Sequence, residues 1–112
     1  MFFKLFNKKK KCNTSEEVPS YKDRILEQRY INKKDKIQEI KTSINDELKH
    51  MVENGYIYGC VYMPSFLPLS KKDVRRILKE MESQDEYRGI SFSISLASHY
   101  ADYYIDIKIN EN

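Results

Sequence analysis

The sequence predicts an α+β domain, a two-layer sandwich of element order α-β-α-β-β in which both helices lie on one face of a three-stranded sheet with a C-terminal antiparallel hairpin. Three observations predict it. Ile37, Ile40, Ile44, Leu48 and Met51 recur at spacings of 3, 4, 4 and 3, the single apolar stripe of an amphipathic helix. Val74, Ile77, Leu78 and Met81 repeat that stripe over a shorter span. Residues 90–96 and 103–109 instead alternate apolar and polar side chains, the period of a half-buried strand.

The first helix is expected over Tyr21 to Glu53, starting at Ser20 after Pro19 and stopping at Asn54-Gly55. At 1.5 Å per residue such a helix is about 50 Å long, roughly twice the span of a domain this size. It therefore breaks near Asn32 or its N-terminal half projects, and the stretch INKKDKI holds no Pro or Gly to end it, which favours a projecting or kinked helix. A projecting half leaves Ile25, Leu26, Tyr30 and Ile31 in need of a partner, most simply the same helix in a second copy.

Tyr56 to Met63 are β-formers between Gly55 and Pro64 and read as the first strand, with Gly59 marking a close contact with a helix. Pro64 to Ser70 reads as a loop, and Ser70 caps a second helix over Lys71 to Ser83, where Asp73 suits the helix dipole. Arg88 to Ala97 and Tyr103 to Ile109 form the hairpin, turning over Ser98 to Ala101. The helices then cover Ile57, Val61, Ile90, Phe92, Ile94, Leu96, Ile105 and Ile107. The other face stays open, with Tyr56, Tyr58, Cys60, Tyr62, three serines, Tyr104, Asp106 and Lys108.

Residues 1–20 form a tail and linker ahead of a single domain over 21–112. The tail places Phe2, Phe3, Leu5 and Phe6 before Lys8, Lys9, Lys10 and Lys11. With Lys4 these lysines are five of the chain's 20 basic residues, so residues 13–112 hold 15 basic against 17 acidic, a balance of −2. An apolar patch beside a polybasic run has the form of a two-signal anchor for an anionic bilayer surface. The apolar part is too short for a secretory signal, and no run of about 18 apolar residues exists to span a membrane. A cytoplasmic protein, peripheral at the inner face of the membrane when the tail engages, is the expectation; Cys12 and Cys60 fit a reduced compartment. Abundant Lys, Ile, Asn and Tyr suit an AT-rich genome, such as that of a low-GC bacterium or its phage.

Catalysis finds little support. Ser98, His99 and Asp102 are neighbours in sequence with no scaffold to hold them as a triad, and Cys12, His50, Cys60 and His99 lack metal-ligand spacing. Gly55, Gly59 and Gly89 make no phosphate loop. No cofactor or small-molecule substrate is expected. Arg88-Gly89 opens a strand as in RNA-binding sheets, yet Phe92 falls in the inward set and the outward positions are serines. Only one helix fits between the first strand and the hairpin, where a winged helix needs two.

The expected function is that of a non-enzymatic protein-binding module, an adaptor or inhibitor. Tyr56, Tyr58, Tyr62 and Tyr104 would supply rigid amphipathic contact area for a protein partner or for self-association. The alternative is a nucleic-acid-binding accessory protein using the tail lysines and the basic helix edge of Lys71, Lys72, Arg75, Arg76 and Lys79.

Overall fold

The computed structural model describes residues 18–96 and 102–111. The expectations for Phe2, Phe3, Leu5, Phe6 and Lys8 to Lys11, and for the turn at Ser98 to Ala101, lie outside them. Two helices and a three-stranded antiparallel sheet make up an α+β fold, in chain order α1 (Tyr21–Asn54), β1 (Tyr58–Met63), α2 (Lys71–Glu82), the short 3-10 turn Asp85–Tyr87, β2 (Ile90–Leu96) and β3 (Tyr103–Ile109).

Helix α1 is continuous over its 34 residues. The Ser20 hydroxyl accepts the Asp23 N–H at 3.1 Å, and Gly55 ends the helix at a φ of 68°, in the left-handed region that glycine adopts without strain. Ile40, Ile44 and Met51 are buried, with Ile37 and Leu48 packed partly against the same core. Residues 21–32 are all exposed, so the helix does project, and the structure extends 63 Å along its longest axis. Lys33 and Lys34 interrupt the apolar stripe without breaking the backbone.

β3 lies between β1 and β2 and pairs antiparallel with each. α1 packs on β1 and α2 on β2. Gly59 lets α1 approach, since a Cβ there would stand 2.7 Å from the ends of Glu47 and Met51. β1 starts at Tyr58, two residues later than expected, because the Tyr56 N–H donates to the Met51 carbonyl and finishes the helix end.

Helix α2 opens with a capping box: the Ser70 hydroxyl accepts the Asp73 N–H at 3.0 Å while the Asp73 carboxylate accepts the Ser70 N–H at 3.1 Å. The bond from the Ser70 backbone first, then that with its side chain, hold the Asp73 carboxyl below the usual range, and the charges of Arg76 and Lys33 add to this.

Val61, Phe92, Ile105 and Ile107 fill the core as the alternation requires, and Ile90 and Ile94 are half-buried. Leu96 departs from expectation at 59% exposure. Leu96 is the last residue of the edge strand β2, past the stretch Phe92 to Ile94 that lies against α2, while Phe66 stacks on Tyr103 of the central strand with ring centroids 4.4 Å apart. Ile57 is likewise exposed, since it precedes β1 where α1 has stopped. Four residues outside the expected core complete it: Met63, Phe66, Leu69 and Tyr87. Tyr87, held by the 3-10 turn, packs edge-on to Phe92 and donates its hydroxyl to Asn45 Oδ1 at 2.8 Å.

Candidate interaction surfaces

Strand registers sort the outward side chains into three cross-strand rows: Tyr58, Lys108 and Ser91; Cys60, Asp106 and Ser93; Tyr62, Tyr104 and Ser95. Each row crosses all three strands. Tyr58 and Tyr62 are 62% and 51% exposed, Tyr104 is half-buried between its neighbours, and Cys60 is a free, exposed thiol.

Tyr62 and Tyr104 lie with ring centroids 5.6 Å apart and planes tilted by 54°. The Tyr62 hydroxyl donates to Asp102 Oδ2 at 2.7 Å. That bond, with lesser contributions from desolvation and from the charges of Asp102 and Tyr104, raises the phenol above its ordinary value and keeps it a donor. The bond ties the residue before β3 to β1 across 40 positions of sequence, and fixes one tyrosine of the face in orientation. Asp102 is therefore engaged by Tyr62, while Ser98 and His99 lie outside the described residues.

Tyr56 does not join these rows. It precedes β1, and its ring meets His50 of α1 edge-on at 5.6 Å, so the expected set of four tyrosines reduces to Tyr58, Tyr62 and Tyr104. Among the described residues no group of three or more acidic, His or Cys side chains is placed to hold a metal ion. Nor is any described helix long and apolar enough to cross a membrane.

The projecting half of α1 is the second exposed surface. Leu26 and Tyr30 prolong the helix face that carries Ile37, Ile40 and Ile44, and they are 52% and 62% exposed. Lys22, Arg29 and Lys36, spaced by 7, line one flank of that face. On α2, Lys71, Arg75 and Lys79 follow an i, i+4 spacing, as do Lys72 and Arg76, so all five form one basic arc. Arg75 and Lys79 border a groove against β2 with Leu78, Phe92 and Ile94 at its floor and Glu82 at its rim.

Sequence reasoning missed Asp102 as the partner of Tyr62. The one available signal is that Asp102 immediately precedes β3, in which Tyr104 opposes Tyr62. Comparison of the chain with protein-family models, curated proteins and solved structures finds no match.

Proposed function

We propose that the chain is a non-enzymatic protein-binding module, an adaptor or inhibitor, acting in the cytoplasm of a bacterium or phage-infected cell. In this reading α1 and α2 form one layer over the buried face of the sheet, a two-layer α+β sandwich, and the opposite face is the docking surface. A single observation carries it: among the described residues Tyr58, Tyr62 and Tyr104 stand on one uncovered sheet face, Tyr58 in the first cross-strand row and Tyr62 beside Tyr104 in the third, two of them more than half exposed. Such rings give contact area at low entropic cost, and the Tyr62 hydroxyl bond lowers that cost further. The exposed half of α1 adds a second contact, and the tail residues Phe2, Phe3, Leu5, Phe6 and Lys8 to Lys11 recruit the module to an anionic membrane surface.

The test is capture from cells with the full chain and with its Tyr58→Ser/Tyr62→Ser/Tyr104→Ser variant, both shown folded by circular dichroism. A partner retained by the parent and lost by the variant is expected. Equal retention by both would remove the face from the reading. The basic arc of α2 favours a second reading, nucleic-acid binding, and predicts retention on nucleic acid that falls steeply with salt and with Arg75→Gln/Lys79→Gln.

A further inference from the structure

We propose that β1 is a homotypic pairing edge: two copies of the chain join their β1 strands antiparallel about a two-fold axis at Cys60, making one six-stranded sheet. This goes beyond the docking of a partner on the tyrosine face and does not rest on it. The argument starts from the backbone. The Ile109 N–H donates to the Ile57 carbonyl at 3.0 Å, so in the β1 and β3 ladder the alternate residues 57, 59, 61 and 63 turn their backbone groups to β3. Tyr58, Cys60 and Tyr62 therefore turn theirs outward, and among the described residues no side-chain hydrogen bond reaches them.

The two edges of the sheet differ in this respect. On β2 the outward Phe92 N–H is taken by the Glu82 carboxylate at 2.8 Å, and Arg75 and Lys79 stand beside it. Charged side chains set against an outward amide are a means by which sheet edges are closed to addition. β1 has none of these devices. Tyr58–Met63 contains no charged residue and no proline, and its register with β3 runs without a bulge. α1 approaches β1 through Glu47 and Met51 at Gly59, over the strand's face and not its edge.

The edge is also self-complementary. Its outward side chains, Tyr58, Cys60 and Tyr62, read the same in either direction about Cys60. An antiparallel pairing centred there sets Tyr58 of each copy opposite Tyr62 of the other, with Cys60 opposite its counterpart, and all three positions are hydrogen-bonded pairs. The open face then runs unbroken through both copies. The exposed half of α1 is the weaker homotypic surface, because an antiparallel pair through Leu26 and Tyr30 sets the basic flank of Lys22, Arg29 and Lys36 against itself.

The test uses the purified full chain alone, so it is independent of capturing any other protein. Light scattering over a concentration series is expected to show a dimer. Cys60→Lys is expected to weaken it about tenfold or more, since like charges then oppose each other across the axis; within its own sheet the lysine faces Asp106, which preserves the monomer fold. With Cys12→Ser, a short bis-maleimide should link two chains through Cys60. A monomer at every concentration overturns the proposal. So does a dimer that Cys60→Lys leaves intact and Cys60 fails to cross-link, and so does one dissociated by Leu26→Ser/Tyr30→Ser but not by Cys60→Lys, which assigns the contact to α1.

Discussion

Residues 37 to 54 of α1 bury Ile40, Ile44 and Met51 against the sheet, whereas every side chain from Tyr21 to Asn32 of the same helix is exposed. The first of these stretches is helical because its apolar stripe has a core to enter. The second is helical because it grows from a turn already formed. Nucleating a helix fixes several residues for one hydrogen bond, and extending it adds a bond per residue fixed, so a packed segment can carry an unpacked one. Local contacts then hold the extension: the Ser20 cap, the Gln28 amide donating to Asn32 Oδ1 at 2.9 Å, and Arg24 and Lys34 over the rings of Tyr21 and Tyr30. The difference teaches that a continuous helix need not be one cooperative unit.

Truncation gives the largest test of that contrast. Ile44→Ala should destabilise the protein by about 2–5 kcal/mol in urea unfolding, whereas Leu26→Ala should change it by no more than about 0.5 kcal/mol. Similar losses at both sites would break the comparison, showing that the exposed half is coupled to the core or covered by a partner. A proline costs about 3 kcal/mol in a helix interior, yet Arg29→Pro should spend that locally. The expected result is a loss of helical circular dichroism with an unchanged unfolding midpoint. A lowered midpoint would again join the two halves.

Removing a cap is a smaller perturbation. Ser20→Ala should cost about 1 kcal/mol, read as faster amide exchange over the first turns of α1 and not as a shift in global unfolding. The smallest expected effect sharpens the contrast from the other side, through the cap of α2, whose helix is docked on β2. Asp73 has its folded-state pKa lowered, so its contribution is present above the ordinary carboxylate pKa of about 4 and is lost as pH falls through the lowered value. Global stability of the parent should fall more between neutral and acid pH than that of Asp73→Asn. Parallel profiles would show that the cap of α2, like that of α1, is not coupled to global unfolding.

Legibility in the sequence followed the strength of local period. β3 begins and ends where its alternation does, and α2 lies within a residue of the span marked by Ser70 and the stripe to Met81. Placing Tyr58, Tyr62 and Tyr104 on one face needed only the two-residue repeat. Tyr56 was misplaced because its backbone belongs to the end of α1, a consequence of hydrogen bonding to Met51 that no alternation records. Phe66, Leu69 and Tyr87 sit in segments without period, where burial is decided by which residues of β2, β3 and α1 arrive opposite them. The bond between Tyr62 and Asp102 joins positions too distant in sequence for any local pattern to show.

The central place of β3 also sets the order of events during synthesis. β1 and β2 each have β3 as their only strand neighbour among the described residues, and β3 is the last of the three to leave the ribosome. A nascent chain that has reached Leu96 therefore holds two strands and no sheet, with Val61, Phe92 and their neighbours still open to solvent. Premature termination anywhere before Tyr103 would release a product lacking every ladder of the sheet. Both ladders require residues 103–109, so the sheet cannot be completed before this seven-residue stretch is available.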